Sequence, residues 1–124
     1  VYLKIVIIYA IRALKLRNCF FWGVPYFLSD ELSGNTKQLM SEIPDDTDIL
    51  ITHRPPFGIL DFDDNNNFGC VDLLQTVQKI RPKYHLFGHV HASHGIEKSK
   101  YTTFVNSSLV RKNEIVNESF VLEI

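Results

Sequence analysis

The feature that most constrains this chain is a short apolar run, Tyr84 to Phe87, that leads into Gly88 and the pair His89 and His91. Such a run is typical of a buried β-strand, and the glycine allows the backbone to turn sharply at its end. In an extended segment, side chains two residues apart point the same way, so both imidazoles can aim at one place. The pattern predicts a metal site, because neutral imidazole is a common ligand. The plainer interpretation is two polar residues in a surface loop.

A second run of the same form lies upstream. Residues 48–52 are mostly apolar and end on His53, and Pro55 and Pro56 follow almost at once. Two prolines prevent the chain from continuing a ladder or starting a helix there, so it must leave the sheet with His53 at the tip of the strand.

The segment between the two runs, residues 69–81, predicts a helix. Its apolar residues recur at helical spacing and Pro82 stops it, the positions being Val71, Leu73, Leu74, Val77 and Ile80. A right-handed crossover from strand through helix to strand makes the two strands parallel, so their carboxyl ends share one edge of the sheet. We therefore expect His53, His89 and His91 to converge at that edge, where α/β sheets bind ligands.

On these residues the sequence resembles the calcineurin-like metallophosphoesterases. Thr52-His53-x-Pro55-Pro56 and Gly88-His89-Val90-His91 look like the last two motifs of that family. The chain is similar to a small subgroup of that family that acts on cyclic nucleotides or other phosphodiesters. The similar sequence lies at residues 51–61, 69–70, 73–74, 82–83 and 103–108. The resemblance extends from about Phe21 to the C-terminus and does not cover residues 1–17.

The resemblance implies an α/β fold, the C-terminal part of a four-layer α/β/β/α sandwich with mixed sheets, with residues 1–124 as one partial domain. It implies metal-dependent hydrolysis of a phosphodiester or phosphomonoester, with a small phosphoester or nucleotide as substrate. The intact family uses two divalent ions, which are manganese, iron or zinc. By the family pattern, His53 and His89 bind one ion and His91 binds the other.

The chain departs from the family pattern at its carboxylates. It contains no Asp-x-His and no Gly-Asp, and its one Gly-Asn pair, Gly34-Asn35, is followed by Thr36 instead of histidine. We therefore assign no catalytic residue, expect at most one ion in this chain, and expect little or no activity. The upstream half of such an enzyme would supply the missing ligands.

Two other functions stay open. One is a non-catalytic module that keeps the phosphoesterase fold to bind a nucleotide or a partner. The other is a single-zinc site with His85 or His94 as an extra ligand, although His85 falls inside a strand and is more typical of a packed core residue.

Composition excludes some partners. A net charge of −1 and a pI near 6.6 argue against binding a nucleic-acid polymer. The apolar run at residues 5–11 is far shorter than the roughly 20 residues of a membrane span. Cys19 and Cys70 make no disulfide framework, which favours free thiols, a reducing compartment and a cytoplasmic protein. If the run 5–11 and the aromatic cluster 20–22 are incompletely covered, we expect self-association.

The remaining segments carry weaker signals. Residues 101–105 and 120–124 predict two paired strands. Asn106 follows the first of them and is the candidate for a substrate contact, or else a turn residue with its bonds satisfied. Residues 57–67 are predicted to form a polar loop over the pocket at the sheet edge. Acidic and polar residues from Asp61 to Asp72 have nearly the spacing of an EF-hand calcium loop, but Asn66 stands where glycine is needed and Asp72 where glutamate is needed.

Overall fold

The computed structural model describes residues 13–24, 33–111, 114–115 and 117–123, in which six strands form one mixed sheet. The strands of this sheet are β1 (Ala13–Leu16), β2 (Cys19–Val24), β3 (Ile49–Thr52), β6 (Tyr84–Phe87), β7 (Gly95–Lys98) and β8 (Thr103–Asn106). Two small hairpins are formed by β4 (Phe62–Asp63) with β5 (Asn66–Asn67), and by β9 (Val110–Arg111) with β10 (Glu114–Ile115). The helices are α1 (Thr36–Ser41), α2 (Val71–Ile80) and a 3-10 turn, His91–Ser93.

The centre of the sheet is parallel. β2, β3, β6 and β8 lie side by side in that order, and Leu50 pairs with His85, which pairs with Phe104. The predicted order of strand, helix and strand is confirmed, because α2 connects β3 to its parallel neighbour β6. An α/β fold with a mixed sheet is thereby confirmed as well.

Antiparallel strands close both edges of this sheet. β1 pairs with β2, and β7 pairs with β8. The strand predicted at residues 101–105 is β8. The strand predicted at residues 120–124 is wrong for its described part, since residues 120–123 form no ladder. A strand needs backbone partners along its length. Here the Tyr84 hydroxyl donates to the carbonyl oxygen of Glu123 instead.

The hydrophobic core lies between the helices and one face of the sheet. Leu50, Phe87 and Phe104 from the strands pack with Leu73 and Val77 from α2, and α1 adds its apolar side. The predicted apolar stripe is wrong at Val71, which is 51% exposed, whereas its members Leu73 and Val77 are buried. With 3.6 residues per turn, residues four apart lie on one face of a helix, so Leu73 and Val77 face the core together.

The run at residues 5–11 lies outside the described residues, so its predicted burial is not addressed. Among the described residues, no helix is both long enough and apolar enough to cross a membrane. The assignment of residues 1–124 to one partial domain stays a prediction.

Candidate metal centre

The candidate site lies where two neighbouring parallel strands end. β3 ends at Thr52 and β6 ends at Phe87, so His53 and His89 follow at the same edge. The backbone N–H of Gly88 donates to the carbonyl oxygen of His53 at 3.1 Å, which holds the two loops side by side. The ring atoms His53 Nε2 and His89 Nδ1 are 3.0 Å apart. The predicted convergence of these two side chains is confirmed, and their role as metal ligands stays a prediction.

His89 has an unusual backbone conformation, with φ at +66°. This left-handed region is uncommon for a residue that carries a Cβ atom. The N–H of Val90 donates to the carbonyl oxygen of Gly88 at 2.8 Å and closes a tight turn around His89. This turn therefore directs the His89 ring toward His53.

His91 departs from the predicted geometry. The prediction assumed an extended segment from His89 to His91, and this is wrong, because His89 is left-handed and the 3-10 turn begins at His91. Side-chain alternation therefore does not apply. His91 is exposed, and its charge lowers the pKa of both His53 and His89, so it lies in their electrostatic neighbourhood. Its role as a ligand stays a prediction.

The surroundings keep the two paired imidazoles neutral. Burial is the main cause that lowers the pKa of His53 from its ordinary value of 6.5, and His91 lowers it further. Burial also leads in lowering the pKa of His89, followed by the charges of His53, Arg54 and His91. A neutral imidazole keeps a lone pair on one ring nitrogen for coordination. In the hydrogen bond between the two rings, one of the facing nitrogens carries the hydrogen, so that ring must change tautomer before both nitrogens can bind one ion.

The spacing of the pair can be tested against a metal ion. Two nitrogens that bind one zinc ion tetrahedrally, each at about 2.0–2.1 Å, are about 3.3 Å apart. His53 Nε2 and His89 Nδ1 need to separate only slightly from 3.0 Å to reach this distance. Within the described parts of the chain, however, no group of three or more His, Cys, Asp or Glu side chains is placed to hold a metal ion. The pair fits two positions of a coordination shell, and the carboxylates of a full centre are not assembled around it.

His85 serves the core. It is fully buried, and its Nε2 lies 2.9 Å from the hydroxyl oxygen of Thr52, which itself donates to the carbonyl oxygen of Arg54 at 2.6 Å. Because the hydroxyl hydrogen is used for Arg54, Nε2 of His85 is the donor to Thr52. Burial lowers the pKa of His85 to about 3. The option of His85 as an extra zinc ligand is therefore wrong.

His94 contacts the C-terminal part of the described chain. Its Nε2 donates to the carbonyl oxygen of Glu118 at 3.0 Å, and its ring stacks on Phe120 with centroids 4.5 Å apart. His94 is half-buried. These contacts occupy the ring in packing residues 117–123 against the chain.

A buried carboxylate organises the loop that follows His53. Asp61 is 1% exposed, and its Oδ2 accepts the N–H groups of Gly58 at 2.8 Å and Gly69 at 2.9 Å. Its Oδ1 accepts the side-chain amide of Asn67 at 2.7 Å. Asp61 is thus committed to the loop and not to a cation, and the loop carries the β4–β5 hairpin. Sequence spacing alone did not reveal this role.

Two loop segments cross closely beside the site. Cys70 exchanges backbone hydrogen bonds with Pro55 and Phe57, both at 3.0 Å. A Cβ atom at Gly69 would collide with the backbone of Pro56, so only glycine fits this crossing. The Arg54 guanidinium donates to the carbonyl oxygen of Phe68 at 2.6 Å and adds a further tie. Pro55-Pro56 and Gly69-Cys70 are therefore held together in one backbone crossing.

The rim of this loop is aromatic. Phe57, Phe62 and Phe68 are 41%, 54% and 41% exposed. The Ser93 hydroxyl donates to the carbonyl oxygen of Phe62 at 2.5 Å, which connects the β4–β5 hairpin to the turn that contains His91. Apolar rings are thereby exposed on the segment that borders the histidine pair.

Asn106, the predicted substrate contact, is fully buried at the end of β8. Its side-chain amide donates to the carbonyl oxygens of Leu60 and Val90, at 3.0 and 2.9 Å. These bonds of the Asn106 side chain are all within the chain. Its contact with a substrate stays a prediction.

Comparison with known proteins finds relatives but no matching family model. UPF0046 protein K07C11.7 of Caenorhabditis elegans is 47% identical over 83 residues, which are 66% of this chain and 29% of that protein. Metallophosphoesterase domain-containing protein 1 of Homo sapiens is 43% identical over 86 residues, which are 66% of this chain and 26% of that protein. The chain thus spans less than a third of these relatives. It is related to metallophosphoesterase domain-containing proteins.

The fold also matches a solved structure. A crystal structure with 19% sequence identity has a TM-score of 0.52, over 77% of this chain and 43% of that chain. At this identity, the likeness concerns the fold alone. It supports the mixed α/β arrangement of the described sheet and helices.

Proposed function

We propose that this chain carries the histidine part of a metal-dependent phosphoester hydrolase, with His53 and His89 on one divalent ion and His91 directed to a second. The observation that carries the proposal is the 3.0 Å approach of His53 Nε2 to His89 Nδ1 at the carboxyl edge of parallel strands. The relationship to metallophosphoesterase domain-containing proteins supports the reaction class. Phosphodiesters and phosphomonoesters are both candidate substrates.

In the proposed centre, residues of this chain would hold and orient a metal ion. When bound, a divalent ion of manganese, iron or zinc supplies Lewis-acid stabilisation of the charge that develops on the phosphoryl oxygens. The rings of His53 and His89 would donate lone pairs to that ion, and the left-handed turn at His89 fixes the direction of its ring.

The proposed centre is incomplete in this chain. Imidazole ligands bring no negative charge to offset two divalent cations, and no carboxylate joins the three histidines within the described residues. The chain spans 29% and 26% of the relatives described above, so the proposal assigns the missing carboxylates to sequence outside it. By itself, the chain should hold at most one ion and hydrolyse phosphoesters at background rate.

The test is zinc titration by calorimetry, with elemental analysis after dialysis. We expect no more than one ion per chain and the loss of that ion in His89→Ala, because too few protein ligands remain for a four-coordinate ion. A wild-type chain that binds no ion would contradict the proposed centre. His94→Ala is the matched control, since His94 bonds to Glu118 away from the pair, and it should bind zinc like the wild type. Two ions per chain, with manganese-dependent cleavage of bis(p-nitrophenyl) phosphate that His89→Ala abolishes, would show that unrecognised ligands complete the centre.

A non-catalytic module is the second candidate. The exposed Phe57, Phe62 and Phe68 beside a site without grouped carboxylates favour it, since aromatic faces stack on nucleotide bases. Nucleotide binding that persists in EDTA and is lost in Phe62→Ala would select this function. Binding that requires zinc would select the metal centre.

The proposal includes a cytoplasmic location and self-association, without nucleic-acid polymers or membranes as partners. Cys19 and Cys70 are both free thiols, which suits a reducing compartment. Ile115 and Val121 are 79% and 73% exposed and would favour association between copies. Light scattering should show a dimer or larger species, and a monodisperse monomer at high concentration would contradict this.

A further inference from the structure

The amide of Asn106 joins two loops that meet at the candidate site. Asn106 is 0% exposed at the carboxyl end of β8. Its Nδ2 donates one hydrogen to the carbonyl oxygen of Leu60 at 3.0 Å and one to that of Val90 at 2.9 Å. Its Oδ1 accepts the N–H of Ser108 at 3.1 Å. Both donor hydrogens are therefore used, and both go to loop carbonyls.

The two loops share an uncommon backbone feature. Leu60 has φ at +49°, and His89, the residue before Val90, has φ at +66°. Both are left-handed residues with a Cβ atom, a conformation that persists only where the surrounding structure imposes it. Asn106 donates to the carbonyl oxygen of Leu60 itself and to the carbonyl oxygen of Val90, the residue after His89. One buried side chain thus meets both strained segments.

We infer that Asn106 is a positioning residue that holds His89 in its left-handed turn and so keeps the His89 ring against His53. The loop containing Leu60 follows His53, and the turn containing Val90 leads to His91. Asn106 fixes the distance between these segments from a third strand. This role rests on the proposed function only where a metal is concerned, because the hydrogen bond between His53 and His89 exists without one.

The first test compares Asn106→Ala with a control on the same strand. Thr102 lies just before β8, is 3% exposed, and its hydroxyl donates to the carbonyl oxygen of Pro82 at 2.7 Å. Thr102→Val therefore removes one buried bond to a carbonyl at the other end of the strand, whereas Asn106→Ala removes three bonds. Zinc titration should give about 10–100-fold weaker binding in Asn106→Ala, as for other residues that orient ligands. Thr102→Val should bind zinc like the wild type.

A second readout needs no metal. Nitrogen-15 NMR of the imidazoles reports the bond between His53 Nε2 and His89 Nδ1 in the metal-free chain. We expect Asn106→Ala to lose that signature and Thr102→Val to retain it. Unchanged ring signals and unchanged zinc affinity in Asn106→Ala would overturn the inference and leave the proposed function standing. If the wild type binds no zinc but Asn106→Ala loses the ring signature, the proposed function fails and the inference is supported.

The removal of Asn106 could prevent folding, so a second variant addresses this case. His89→Gly relieves the backbone strain, because glycine adopts positive φ readily. If Asn106 acts on His89, the loss of stability in Asn106→Ala should shrink, or folding should return, in the His89→Gly background. An equal loss in both backgrounds, or failure to fold in both, would show a purely general structural role and overturn the inference.

Discussion

His85 and His89 are four residues apart, one within strand β6 and one just beyond it, and they have opposite properties. His85 is fully buried, its Nε2 bonds to Thr52, and its Nδ1 has no hydrogen-bond partner among the described residues. His89 is exposed at the edge and its ring meets His53. The residue type is the same, so position in the sheet decides whether an imidazole packs the core or serves a site.

The difference has a physical cause. The body of the sheet is covered by α1 and α2, which removes water and penalises the charged form of His85. Beyond the strand ends the backbone turns away, so His89 keeps access to solvent and to a ligand. The body of the sheet therefore determines stability, and its carboxyl edge determines chemistry.

Lowering the pH should destabilise the folded chain through His85, and this is the largest effect that we expect. Burial holds the pKa of His85 at about 3 in the folded chain, whereas an unfolded histidine titrates near 6.5, so between these values the unfolded chain binds an additional proton. The free energy of unfolding should therefore fall by about 1.4 kcal/mol for each pH unit below 6.5. The contribution of neutral His85 to stability is complete only above pH 6.5. Urea unfolding from pH 7 to pH 4 measures it.

The control for this prediction is His85→Gln, which keeps a donor for Thr52 but cannot titrate. Its free energy of unfolding should depend less steeply on pH over the same range. Equal slopes in the variant and the wild type would show that other groups cause the acid sensitivity.

Truncation of the helix that covers the sheet should have the next largest effect. Leu73→Ala removes a fully buried side chain and leaves a cavity, and should cost about 2–5 kcal/mol. Val71→Ala, on the same helix but 51% exposed, should change stability by less than about 0.5 kcal/mol. Thermal and urea unfolding compare the two, and similar losses would mean that Val71 packs against something the described residues do not include.

Removal of the loop carboxylate should have a smaller, more local effect. Asp61→Ala leaves the N–H groups of Gly58 and Gly69 without their acceptor, which should cost about 1–3 kcal/mol. Asp63→Ala, on the exposed β4–β5 hairpin, is the control and should change little. Amide hydrogen exchange should show the loss of protection at Gly58 and Gly69, while β3 and β6 stay protected. Loss of protection in those strands would contradict the separation of edge and body.

Much of the fold followed from local pattern. The apolar runs that end on His53 and His89, with a helix between them, predicted parallel neighbouring strands, and the structure confirms this. The same reasoning was wrong about His91, because alternation holds only in extended chain and the glycine ends the strand. It was also wrong about residues 120–123, since composition shows strand tendency but not whether a partner edge is present.

Local sequence pattern was enough to predict the strand, helix and strand between residues 48 and 87 and to place His53 and His89 at one edge of the sheet. These features depend on residues a few positions apart, so they can be read from hydrophobic spacing and proline placement. How that edge is held depends on contacts between distant segments. Asn106 bonds to Leu60 and Val90, 46 and 16 residues away. Such bonds form only after distant segments meet, so no local pattern encodes them.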